Sequence, residues 1–175
     1  MKKSIKVLAP TGAIGSGLRQ DLFEQALKEM PDVIAMDAGS TDSGPYYLGT
    51  AKSKCSPAVL KTELRAYMRA RAELGIPLII GSCGTCGSDA GVELMRSLCL
   101  EVAAELQQNV KIAAIYSEQT TTAVTQALVD GRILPLNPVR PIDPARIERC
   151  SRIVAVMGVE PFIHALEQGA DIVLA

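Results

Sequence analysis

A chain of 175 residues has the length of one globular domain and is too short for a second independent core. Apolar residues at 48% and charged residues at 21% exclude a disordered or low-complexity polymer. Eighteen basic against nineteen acidic residues leave a net charge of -1, and aromatics are 3% with no Trp, so neither a basic field nor a stacking platform for nucleic acid exists.

The expected partner is therefore a small-molecule metabolite or another protein, with no nucleic acid and no membrane. No apolar run approaches the roughly 20 residues of a bilayer span. Met1-Lys2-Lys3 begins like a signal peptide, but Lys6 interrupts the apolar run and Pro10 and Gly12 end it, which points to the cytoplasm. In that compartment Cys55, Cys83, Cys86, Cys99 and Cys150 are expected as free thiols.

In chain order, Ile5 to Ala9 predicts a first strand, followed by the glycine-rich turn Thr11 to Gly17. Leu18, Leu22, Ala26, Leu27 and Met30 then predict one face of a helix that stops before Pro31. Val33 to Met36 reads as strand two, and a long polar loop, Asp37 to Cys55, follows it. Ser56-Pro57 is an N-cap with a first-turn proline, opening a helix that turns Leu60, Leu64, Tyr67, Met68 and Leu74 inward and ends at Gly75. Pro77 to Gly81 is an apolar and therefore central strand, and Ser82 to Gly91 its turn. A helix burying Val92, Met95, Leu98, Cys99, Val102 and Leu106 leads to a fourth strand, Lys111 to Tyr116. Ser117 is read as the cap of the next helix, which ends near Gly131. A connector carrying Pro135, Pro138, Pro141 and Pro144 includes a short helix opened by Asp143-Pro144. Strand Ile153 to Met157, helix Pro161 to Gln168 and strand Asp171 to Leu174 complete the chain. The alternation predicts an α/β fold, Rossmann-like, with three αβα layers and a mostly parallel sheet of about six strands.

Ligands of such sheets bind outside the carboxyl ends of the strands, so the loops after strands are the candidate sites. Gly12, Gly15 and Gly17, with Thr11, sit between strand one and helix one, where free N–H groups favour a phosphate. Their G-x-x-G-x-G spacing differs from the dinucleotide fingerprint, and a tight turn is the competing explanation. Asp37 at the end of strand two is placed as a ribose ligand would be, which keeps a nicotinamide-dependent oxidoreductase as an alternative. The loop Asp37-Ala38-Gly39-Ser40-Thr41-Asp42-Ser43-Gly44-Pro45-Tyr46-Tyr47 concentrates carboxylates, hydroxyls and phenols. Asp37 and Asp42 suit a hard divalent cation or general acid/base work, with Ser40, Thr41, Tyr46 and Tyr47 beside them. Cys83-Gly84-Thr85-Cys86 opens a helix, which lowers a thiol's pKa and makes Cys83 or Cys86 a candidate nucleophile, redox pair or soft-metal ligand. Structural zinc is disfavoured, because the lone His164 shares a polar helix face and no second C-x-x-C exists. Lys52, Lys54, Arg65, Arg69 and Arg71 are cations that a phosphorylated or CoA-type ligand would meet.

The segment Met36 to Gly49 resembles the signature of the acyclic terpene utilisation (AtuA) family. Pro77 to Ser82 and the stretches Met157 to Pro161 and Gly169 to Val173 are similar to later blocks of that family. The resemblance implies a catabolic enzyme of acyclic terpenoid and acyl-CoA breakdown without fixing the reaction, a lyase or hydrolase being favoured over an oxidoreductase. It points to Asp37, Ser40, Thr41, Asp42, Tyr46, Tyr47, Gly81, Ser82 and Glu160. Family members run to several hundred residues, so the resemblance also implies the amino-terminal portion of a longer enzyme.

The expectation is thus a domain binding a small acidic or acyl-CoA-type metabolite over its strand ends, with Ser82 among the ligand-binding groups. The apolar final segment, Ile172 to Ala175, would leave a sheet edge, so a homo-oligomer or a non-catalytic assembly module needing a partner chain is the other expectation.

Overall fold

A computed structural model describes residues 4–39, 43–136 and 141–175. Five parallel strands form one sheet in the order β1-β2-β3-β5-β4. They are β1 (Val7–Leu8), β2 (Val33–Gly39), β3 (Leu78–Thr85), β4 (Ile112–Ala114) and β5 (Ile172–Leu174). The helices are α1 (Gln20–Leu27), α2 (Pro45–Thr50), α3 (Pro57–Leu74), α4 (Asp89–Glu105), α5 (Thr121–Val129), α6 (Pro144–Glu148) and α7 (Glu160–Glu167).

The chain moves one way across the sheet from β1 to β4, and its connecting helices α1, α3 and α4 cover one face. There Ile34, Met36, Leu78, Ile80, Ile172 and Leu174 pack against Leu60, Leu64 and Tyr67 of α3 and Val92, Met95 and Val102 of α4. From β4 the path reverses to insert β5, and a right-handed crossover then requires its helix on the opposite face. That helix is α7, where Ala165, Phe162 and Leu166 pack on Val173, Ile79 and Ala113. The three-layer α/β expectation is met.

Several local expectations need correction. The sheet has five strands, not about six, because Ile153 to Met157 makes no strand: Val154 forms one isolated antiparallel bridge with Glu118. The final strand is no edge. β5 lies between β3 and β4 with Ile172, Val173 and Leu174 fully buried, which explains its unbroken apolar run. In α1 the inward residue is Phe23, set edge-on against Tyr67, while Leu22 and Met30 are exposed. The long loop after β2 is shortened from both sides: β2 continues to Gly39, and Pro45 at a first helical turn opens α2. β3 likewise runs to Thr85 across a register shift that pairs Gly39 with Thr85. Thr120, not Ser117, caps α5, accepting from the Ala123 amide at 3.1 Å.

Candidate functional site

Loops leaving β3 and β4 depart toward opposite faces of the sheet, and a crevice at their carboxyl ends is the expected consequence. A cavity of about 560 Å³ opens there. It is lined from four directions: Ser43 to Pro45 with Tyr47 and Leu48 after β2, Gly81, Ser82 and Thr85 to Gly87 at the end of β3, Ser117 after β4, and Val154 to Met157 with Phe162 and Ala175. The volume falls within the roughly 300–1,000 Å³ of small-molecule sites. Pro45, Leu48, Val154, Met157 and Phe162 make much of the wall apolar, and Ser43, Ser82, Thr85, Ser117 and the Cys86 thiol supply polar groups.

The backbone under these hydroxyls is unusual. Ser82 and Thr85 both hold positive φ, 52° and 87°, a region side chains with a Cβ rarely enter. Thr85 is held there by close approach, since a Cβ on Gly39 would lie 1.9 Å from the Thr85 carbonyl oxygen. Its Oγ1 accepts from the Lys54 amide at 2.8 Å, which draws the segment before α3 to the cavity. Ser117 is buried and donates to the Gly87 carbonyl at 3.0 Å. Strain of this kind concentrates at binding sites, where the surrounding structure pays for it.

Asp37 is exposed at the end of β2, and its Oδ1 accepts from Ser82 Oγ at 3.2 Å. It does not itself line the cavity but reaches it through Ser82. Tyr47 lines the cavity, whereas Tyr46 is exposed and packs edge-on against Tyr47. Ser40, Thr41 and Asp42 lie outside the described residues. Among the described residues no group of three or more His, Cys, Asp or Glu side chains gathers as a metal site would.

The two cysteines of the C-x-x-C part company. Cys86 faces the cavity, its thiol donating to the Tyr47 carbonyl at 3.6 Å. Cys83 points the other way, into the core. It is fully buried and burial pushes its thiol up to about 12, the opposite direction from the lowered value a helix start would give a nucleophile.

The glycine-rich turn also differs from a phosphate cradle. Gly15 and Gly17 donate their amides to the Glu63 carboxylate at 2.9 and 3.0 Å, and buried Tyr67 adds its hydroxyl at 3.1 Å. An internal carboxylate thus stands where a cofactor phosphate would, and α1 begins only at Gln20, beyond the turn. Thr11 bonds within the turn, its hydroxyl sharing a 2.7 Å contact with Ser16, and Gly12 is open to solvent. Glu63 had a signal in the sequence, as a carboxylate among the inward positions Leu60, Leu64 and Tyr67 of one amphipathic helix.

Of the cations, Arg71 is buried and paired with Asp171 at 2.6 Å, and Arg65 is paired with Glu105 across α3 and α4. Both are thereby engaged in holding the fold. Lys52 and Lys54 are exposed beside the cavity-lining loops. Glu160 opens α7 with its side chain folded over Gly158, and His164 is exposed on the same helix.

A family model described as acyclic terpene utilisation family protein AtuA matches residues 5–175. No curated protein and no solved structure matches the chain. The match spans nearly the whole sequence, and the chain belongs to this family.

Proposed function

We propose that the chain is a catabolic enzyme domain that binds a small acyclic acid, or its acyl-CoA form, in the strand-end cavity, with Asp37 and Asp42 as acid/base groups or divalent-cation ligands. The observation that carries this reading is the cavity itself: an aliphatic wall with a few convergent hydroxyls, at the switch point of the sheet. The family description, acyclic terpene utilisation, supports a flexible hydrocarbon as the ligand's apolar part. Aliphatic side chains such as Leu48, Val154 and Met157 suit a flexible hydrocarbon chain, and Ser43 suits its carbonyl end, since the Ser82 and Ser117 hydroxyls already donate to Asp37 and to the Gly87 carbonyl. Asp37, one hydrogen bond from Ser82, is exposed and placed to take a proton from a water held by that serine. Lys52 and Lys54 are the exposed cations for a CoA phosphate.

The nicotinamide alternative loses support, because Gly15 and Gly17 already spend their amides on Glu63. Calorimetric titration with an acyclic monoterpenoid acid and with its CoA thioester tests the reading. Saturable binding of at least one, abolished by Cys86→Trp, is expected. No binding of either, or binding indifferent to the cavity-filling tryptophan, overturns it. Asp37→Asn in a turnover-competent family member should cost about 10²–10⁴ in rate with affinity retained.

A further inference from the structure

Residues 152–157 cross the surface between α6 and α7 in no helix or strand, with Val154 in a single bridge to Glu118. Val154 to Met157 line the cavity, yet the Val156 side chain is fully exposed and Ala155 is exposed. A segment with one side toward the cavity and the other toward water is the outer wall of that cavity. Its main-chain attachment to the rest of the domain is slight: the Gln119 amide donates to the Ile153 carbonyl at 2.8 Å, and the Ala155 amide donates to the Ser117 carbonyl at 3.0 Å.

Among the described residues one side-chain contact reinforces these two. Arg152 Nη1 donates to both oxygens of Glu118, at 3.1 and 3.2 Å. The same Glu118 carboxylate accepts the Asp89 amide at 3.1 Å, and the Glu118 amide donates back to Asp89 at 3.2 Å. Glu118 therefore joins the start of α4 and the loop after β4 to the wall segment. The pair is partly screened, with side-chain exposures of 32% and 22%. It is also incompletely satisfied, since Arg152 Nε is buried without a partner among the described residues. A buried donor left unpaired costs free energy in the closed arrangement and lowers the barrier to leaving it.

We infer that residues 152–157 are a strap that opens to admit ligand to the cavity, and that the Arg152–Glu118 ion pair is its latch. Gly158, without a side chain, adjoins the strap at the α7 end, and the exposed Cys150 and Ser151 adjoin it at the other. The meaning of the strap for ligand entry rests on the cavity being the binding site, but its opening is measurable with no ligand present. Arg152 and Glu118 act as positioning residues, since neither lines the cavity.

Amide hydrogen exchange followed by NMR tests this on the intact chain, with protection factors corrected for the changed neighbours. Arg152→Gln and Glu118→Gln should each lower the protection of the Ala155 and Gln119 amides about tenfold, the effect of losing a charge-assisted hydrogen bond. The Ala175 amide, bonded to Ile80 in the sheet at 3.0 Å, should keep its protection. The double variant should open little further than either single one, and Arg152→Lys should retain most of the protection. Unchanged Ala155 and Gln119 protection, an equal loss at Ala175, or additive effects in the double variant would each overturn the latch. Failure of the titrations above with these exchange results intact would leave the strap standing and remove the ligand reading alone.

Discussion

Removal of the Glu63 carboxylate is the sharpest test of how the amino-terminal turn is held. Glu63 is 5% exposed and accepts from Gly15, Gly17 and Tyr67. In Glu63→Ala the Tyr67 hydroxyl, fully buried, loses its partner and takes most of the penalty for an orphaned donor, about 2 kcal/mol. The Gly15 and Gly17 amide bonds are only part-buried, so water replaces the carboxylate there at a combined cost of about 1 kcal/mol. Relief of carboxylate desolvation works in the opposite direction and trims the total. The expected loss is about 2–3 kcal/mol, read as a lower urea midpoint at constant slope.

A mutant cycle separates this account from a generic packing defect. Tyr67→Phe in the native background removes one donor from a satisfied carboxylate and should cost about 1 kcal/mol. In the Glu63→Ala background the same change removes the orphaned hydroxyl, so it should be neutral or stabilising. A Glu63→Ala loss under about 0.5 kcal/mol, or an equal Tyr67→Phe effect in both backgrounds, would refute the reasoning.

Alkaline pH should destabilise the domain through groups kept neutral by burial. Cys83 and Cys99 are raised from 9.0 to about 12 by burial, and Tyr67 is raised by burial and then by the Glu63 charge. Raised folded-state values favour the protonated fold, so this stability is complete below pH 9 and drains as pH rises toward 12. Cys83→Ala should flatten the fall in urea midpoint between pH 9 and 11; an unaltered slope counts against it. Gly91→Ala should cost about 3 kcal/mol or prevent folding, because its Cβ would lie 2.2 Å from the Cys83 carbonyl oxygen. Gly12→Ala, with nothing among the described residues within 4 Å of the added carbon, should leave the thermal midpoint almost unmoved.

Periodicity made the covered face legible. Of the inward positions read for α3, Leu60, Leu64, Tyr67 and Met68 are buried and Leu74 is half-buried; of those read for α4, Val92, Met95, Leu98, Cys99 and Val102 are buried and Leu106, just past its end, is half-buried. Each of these helices carries enough turns for its apolar stripe to be unambiguous. The short elements fared worse for a physical reason. α1 has eight residues, too few to separate Leu22 from Phe23 as the buried position. Ile153 to Met157 has strand composition but faces a cavity, so aliphatic content there reflects a wall rather than a ladder. Asp37, Tyr47, Ser82 and Cys86 were visible as loop residues after strands, and the structure groups them around one cavity or beside it. Thr85, Ser117 and Phe162 were not, because a single Thr, Ser or Phe carries no spacing that marks a site.

Strand order is the property that local pattern cannot carry, and here it is what makes the cavity. Had β5 been added beyond β4, the chain would have kept one direction across the sheet, and every crossover helix would have lain on the same face. The loops after β3 and β4 would then have departed together, with no crevice between them. Inserting β5 between β3 and β4 requires a strand buried on both faces, which Ile172, Val173 and Leu174 supply with no polar side chain. It also requires the return path through α5, α6 and α7, which carries Val154 to Met157 over the strand ends as the outer wall. The apolar final strand and the aliphatic segment before α7, two separate features in the sequence, are consequences of one topological reversal that both opens the cavity and covers it.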